Sequence, residues 1–179
     1  MGGRGAKAAG GVIRLCFHGA ESTGKSVLAA RLAAELDLPW VGEYGREWAE
    51  VNGTDFTIES LLAMAAGQDT AMRRAAARCP PLLLLDTDPL MTAAWAQMLF
   101  DDVPEELMAY EKAEHYLLFA ADTPWVEDGT RFFGTPELRA RFAEVSEDML
   151  VRASVPFTRI EGDWAAREAA VRGVIAAAR

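Results

Sequence analysis

The segment Gly19-Ala20-Glu21-Ser22-Thr23-Gly24-Lys25-Ser26 constrains this chain more than any other part of it. Glycines in this pattern let successive backbone N–H groups converge on one phosphate. The following lysine reaches the outer phosphates, and the hydroxyl offers an oxygen to Mg²⁺. Such a loop works only where a strand delivers the chain into the turn and a helix starts at its far end, adding the positive end of its dipole. Both neighbours are legible. Val12–His18 is a short apolar run bounded by glycines and predicts a buried strand. From Gly24 to Leu36, apolar residues fall at Val27, Leu28, Leu32 and Leu36, which is helical spacing, and Pro39 stops the run. Gly19, Ala20, Glu21, Ser22, Thr23, Gly24, Lys25, Ser26 and Val27 are therefore the expected ATP contacts.

The rest of the chain alternates in the same way. Trp40–Val41 predicts a second strand ending at Glu43, and Thr57–Arg78 a long helix broken by Pro80-Pro81. The unbroken run Leu82–Leu85 before Asp86 reads as a strand covered on both faces. Met91–Phe100 and Glu105–Lys112 read as helices and His115–Ala120 as a strand. Pro136–Ala153 reads as a helix with proline in its first turn, Val155–Ile160 as the last strand and Trp164–Ala178 as the last helix. Strands alternating with helices predict an α/β fold: a P-loop NTPase-type three-layer architecture with a parallel sheet of about five strands and helices on both faces. Residues 1–11 are expected to be a flexible lead-in and residues 12–179 a single domain. The stretch 122–135 carries charge, Pro124, Gly129 and Gly134 without a clear period, and is expected to form a lid. In sheets of this kind ligands bind at the carboxyl ends of the strands.

Composition narrows the partners. A net charge of −9 over 179 residues repels polyanions, so nucleic acid is not expected, although local backbone dipoles can still hold a small anionic nucleotide. No apolar run is long enough to span a membrane, and nothing resembles an export signal, so a cytoplasmic location is expected. Cys16 and Cys79 are then expected to be reduced thiols with packing roles. Homo-oligomerisation is left open.

Asp86, ending a buried strand beside the phosphate loop, is a candidate Mg²⁺ ligand together with Ser26. Asp88 can serve substrate, metal or catalysis, or cap the helix that opens at Pro89. The guanine-reading segment of a GTPase is missing at any sensible position, and the chain is short for a mechanical ATPase with an added helical domain. A small-molecule kinase fits the length. It needs ATP, an acceptor hydroxyl, a carboxylate near that hydroxyl and a cation over the transferring group. The candidates are Lys25, Glu43 or Asp88 as the base, and Arg131 in the lid. Tyr44, Trp40 and Trp95 can stack on a flat ring, more strongly if that ring is cationic. His18 and His115 read as structural. A kinase for another nucleoside or nucleoside monophosphate, or an ATP-binding regulatory module, remains an alternative.

Four segments in this order resemble one family: Gly19–Ser26 with Val27-Leu28-Ala29, Glu43-Tyr44-Gly45-Arg46-Glu47, Asp86-Thr87-Asp88, and Trp125-Val126-Glu127-Asp128-Gly129-Thr130-Arg131. Together they resemble the ribosylnicotinamide kinase domain of NadR-type proteins, from Val12 onward. The resemblance implies transfer of the γ-phosphate of ATP to the 5′-hydroxyl of nicotinamide riboside. It implies ATP and Mg²⁺ at Gly19–Ser26 and Asp86, and the nucleoside near Glu43, Tyr44, Arg46, Asp88 and Trp95, with Asp128 and Arg131 in a closing lid. Members often carry an adenylyltransferase domain ahead of this one. With only a short lead-in before the first strand, a stand-alone kinase is expected here. Val41-Gly42 separates Trp40 from Glu43, a departure from the family pattern.

Overall fold

The computed structural model describes residues 11–124 and 132–179. Its centre is strand β1 (Ile13–Gly19), with β3 (Leu82–Asp86) on one side and β4 (His115–Phe119) on the other. Strand β2 (Trp40–Val41) extends the sheet beyond β3, and β5 (Phe157–Ile160) beyond β4. All four pairings are parallel, in the order β2-β3-β1-β4-β5. Every strand therefore ends at the same edge. The register sets Phe17 opposite Asp86 and Gly19 opposite Phe119, which brings the phosphate loop and Asp86 side by side.

Alternation along the strands sorts side chains to two faces. Leu15, Phe17, Leu82, Leu84, Leu117 and Phe119 pack against Leu28 and Leu32 of α1 (Lys25–Leu36) and Val171 and Ile175 of α7 (Trp164–Ala178). Cys16, Leu83, Leu85, Tyr116 and Leu118 face the other way. They meet Met72 of α3 (Ile58–Ala76), Leu90 of α4 (Pro89–Phe100) and Leu150 of α6 (Pro136–Arg152). This is why the strands read as continuous apolar runs. A third cluster joins α3, α4 and α6 at the carboxyl edge through Leu61, Met64, Met91, Phe133, Phe142 and Met149.

The expected strands and helices are present, with ends shifted by a few residues. Helix α5 (Glu105–Ala109) stops short of Lys112, whose ammonium turns back to donate to the Met108 carbonyl at 2.7 Å. Helix α2 (Tyr44–Asn52) was not expected. It buries no residue fully: Tyr44, Gly45, Trp48 and Ala49 on one side are half-buried, Trp48 against the cluster that holds Leu61 and Met64, and this short stripe among charged residues does not stand out in the sequence. The end of the expected lid also differs, because Phe133 is buried against Phe142 and Trp95 and belongs to the core. Cys16 is buried and Cys79 exposed, both as free thiols, so only Cys16 has the packing role expected of the pair. No helix among the described residues is long and apolar enough to cross a membrane.

Candidate functional site

A cleft of about 250 Å³ opens at the carboxyl edge, between the phosphate loop and the helices over β3. One end is formed by Gly19 and by Glu21 through Val27, the other by Glu43, Gly45 and Arg46, with Thr87 on the floor. Phe56, Trp95 and Phe142 form an aromatic wall.

The loop's glycines are needed where they stand. Gly19 has φ 128°, and a Cβ there would lie 2.6 Å from the Phe119 carbonyl oxygen. Gly24, at φ 81°, precedes the first turn of α1, and its added Cβ would come within 2.8 Å of the Trp164 ring. Other residues are excluded on both conformational and steric grounds. Thr23 Oγ1 donates to the Ala20 carbonyl at 2.9 Å, and Lys25 Nζ donates to the same oxygen at 3.2 Å, so the buried lysine spans the loop. Ala20 itself is buried beneath the loop and offers its carbonyl rather than a cleft surface. Glu21 lines the cleft, but its carboxylate accepts from the N–H groups of Phe132 and Phe133, each at 3.1 Å. It ties the phosphate loop to the chain entering α6. Burial raises its pKa, against the pull of those amides.

Asp86 is only 2% exposed. Ser26 beside it favours the charged form, while Oδ1 has no hydrogen-bond partner among the described residues. Burial foremost, then the charge of Glu43, pushes its pKa up to about 6, opposed by Lys25, Ser26 and Arg46. An orphaned carboxylate oxygen beside a hydroxyl suits Mg²⁺, which keeps several waters and takes one or two protein oxygens plus phosphate. Among the described residues no cluster of three or more His, Cys, Asp or Glu forms an all-protein metal cage.

Next to it Thr87 has φ 73°, a strained conformation for a β-branched residue. It is held by its N–H donating to the Phe17 carbonyl at 3.1 Å and by its carbonyl accepting from Gln68 Nε2 at 3.3 Å. Gln68 does more. Its Nε2 also donates to the Gly42 carbonyl at 3.3 Å, and its Oε1 accepts from the Tyr44 N–H at 2.8 Å. One buried amide thus brackets Glu43 from both sides and ties it to the end of β3.

Several sequence expectations change. Asp88 is 1% exposed and does not line the cleft. One oxygen caps α4 through the Leu90 N–H at 3.0 Å, and the other accepts from the Tyr116 hydroxyl, so the expected base or substrate ligand is a helix cap. Tyr44 lies on a different surface, its ring closely packed over Gly67, and Trp40 lines that same shallow groove. Neither reaches the cleft. Trp95 does, edge-on to Phe56 at 6.0 Å between ring centroids. Glu43 and Arg46 line it as expected. Asp128 and Arg131 lie outside the described residues. The histidines are structural: His18 Nε2 contacts the Ser146 carbonyl at 2.9 Å, and His115 Nε2 contacts Thr158 Oγ1 at 2.8 Å.

Residues that sequence reasoning missed include Gln68, Phe56 and Phe142. Gln68 had a signal, since it occupies the buried stripe of α3 with Leu61, Ala65 and Met72, where an amide stands out.

Known proteins place the chain. Trifunctional NAD biosynthesis/regulator protein NadR of Escherichia coli (strain K12) is 27% identical over 165 residues, covering 84% of this chain and 38% of that protein. The protein of the same name in Salmonella typhimurium is 26% identical over 172 residues, covering 87% and 40%. The chain spans about two fifths of the length of these relatives. A crystal structure of a NadR protein in complex with NR superposes with TM-score 0.74 at 24% identity, covering 91% of this chain and 50% of that one. Thymidylate kinase from Ehrlichia chaffeensis superposes at 0.69 with 13% identity, covering 92% and 99%. These structures share the α/β P-loop fold described above. An AAA domain family matches residues 14–167, and the chain, matched over most of its length, belongs to that family.

Proposed function

We propose that this chain is an ATP-dependent kinase that phosphorylates the 5′-hydroxyl of nicotinamide riboside, giving nicotinamide mononucleotide. The observation that carries the reading is one cleft holding a triphosphate-binding loop at one end and the carboxylate of Glu43 at the other, with aromatic rings between. The similarity to NadR, and to the fold of a NadR protein in complex with NR, supports the choice of acceptor.

Phosphoryl transfer through a loose transition state asks mainly for positioning and charge stabilisation. The loop amides and Lys25 hold the outer phosphates. Ser26 and Asp86 would hold Mg²⁺, which neutralises charge between phosphates when bound. Glu43 accepts the hydrogen bond of the acceptor hydroxyl and sets its direction toward the γ-phosphate. Trp95 and Phe56 flank the base, and a cationic pyridinium gains attraction from the ring faces. Arg46 lines the acceptor end, and Asp128 and Arg131 keep the roles that the resemblance implies. Among the described residues of the cleft wall, Lys25 and Arg46 are the cations, few for binding a second phosphate on the acceptor.

The test is a coupled ADP-release assay presenting nicotinamide riboside, uridine, thymidine, adenosine and their monophosphates. Nicotinamide riboside should give the highest kcat/KM. Faster turnover of thymidine monophosphate or any other acceptor would replace this reading with that substrate's kinase.

A further inference from the structure

Helix α7 turns Val171 and Ile175 toward the core, and the same stripe one turn earlier carries Arg167, which has no exposed surface. A charge at such a position is costly unless its donors are satisfied. Here they are. Nε donates to the Gly162 carbonyl at 2.8 Å, Nη1 to the Thr23 carbonyl at 3.1 Å and Nη2 to the Ala120 carbonyl at 3.1 Å. Nη2 also pairs with Asp122, whose other oxygen accepts from the Gly162 N–H at 2.9 Å. One planar guanidinium thus joins the phosphate loop, the end of β4 and the turn before α7.

The contact to Thr23 has a geometric consequence. The Thr23 carbonyl and the Gly24 N–H belong to one trans peptide and point in opposite directions. Holding the carbonyl from the interior turns the Gly24 amide away from the guanidinium, and Gly24 lines the cleft. We infer that Arg167 is a positioning residue for ATP: it locks the Thr23–Gly24 peptide so that the Gly24 amide is presented to the phosphates. Gly24's left-handed backbone leaves this peptide few restraints of its own, so the lock comes from α7. This inference rests on the phosphate loop binding ATP and is independent of the acceptor.

The experiment is calorimetric titration of Mg²⁺·ATP into wild type, Arg167→Met and Arg167→Lys, with circular dichroism and melting temperature recorded for each. Methionine fills the space without a donor. Lysine keeps the charge but cannot reach carbonyls on three separate segments with one planar fork. ATP affinity should fall roughly tenfold or more in Arg167→Met, since an aligned amide hydrogen bond to a charged group is lost, and at least about threefold in Arg167→Lys. The KM for nicotinamide riboside at saturating ATP should stay within about twofold, because the acceptor end is untouched. A packing role alone would lower the melting temperature and leave the affinity of folded protein unchanged, which would overturn the inference. If Arg167→Met does not fold, Arg167→Lys decides, and wild-type affinity in that variant overturns it. Failure of the wild type to bind ATP would instead overturn the reading of the loop itself.

Discussion

The two ends of the cleft are built on different plans. The phosphate end is one continuous segment, Gly19–Ser26, whose chemistry resides in backbone groups set by glycine, with Arg167 holding a carbonyl from behind. The acceptor end is assembled from Glu43 after β2, Gln68 of α3, Thr87 after β3 and Trp95 of α4, each brought in by a different element. A continuous site sets most of its geometry locally and here takes an outside lock from Arg167. An assembled site depends on the residues that hold its parts together, and here that residue is Gln68.

Substitutions at the two ends should therefore separate kinetically. The largest loss is expected from Lys25→Ala, on the order of 10²–10³ in kcat, the usual cost of removing a preorganised charge-stabilising donor. Its circular dichroism should match wild type, and near-normal turnover would remove the loop from the mechanism. Glu43→Gln keeps the shape but weakens the hydrogen bond to the acceptor hydroxyl. It should lower kcat by about tenfold to a hundredfold while ATP affinity by calorimetry stays within about twofold. Gln68→Leu should lower kcat/KM for the nucleoside by about tenfold through misplacement of Glu43, again with ATP affinity nearly unchanged. Equal losses toward both substrates in that variant would show that the two ends are not independent.

The smallest effect lies below the cleft and concerns stability. Burial depresses the pKa of His18 to about 3, whereas in the unfolded chain it titrates near 6.5. Between these values the unfolded state holds a proton that the native state refuses, so stability falls as pH drops from about 6.5 toward 3. His18→Gln should flatten that part of the profile of melting temperature against pH and leave kcat unchanged. An identical slope in the variant would assign the acid sensitivity to other groups.

The same contrast between local and assembled structure explains what the sequence reveals. The phosphate loop, the four leucines of β3 and the full extent of α7 are legible because each is specified by neighbouring residues: a glycine pattern, an apolar run, a helical period. Helix α2 is not, because it is short and charged, and its one covered side, with Trp48 on the core, is only half-buried. Asp88 shows the limit of a motif. Its place just after β3 suggested chemistry, but Pro89 beside it marked a helix start, and the cap prevailed. Tyr44 falls next to Glu43 in sequence, yet the turn into α2 sends its ring over Gly67 on another surface. Gln68 and Arg167 are the instructive misses. Each occupies the apolar stripe of a helix and is buried: Gln68 donates to the Gly42 and Thr87 carbonyls beside the cleft, and Arg167 reaches the Thr23 carbonyl of the phosphate loop. A polar residue on a buried stripe is a readable signal that something at the helix's end is being held, but what it holds depends on contacts distant in the chain.

The most direct measurement is mass spectrometry of the products after incubating the protein with Mg²⁺, ATP and nicotinamide riboside. Formation of nicotinamide mononucleotide in equal amount to ADP, abolished by Lys25→Ala, is the predicted result. Release of ADP and phosphate with the riboside left unchanged would mean that the cleft hydrolyses ATP without handing its phosphoryl group to the nucleoside, and would contradict the proposal.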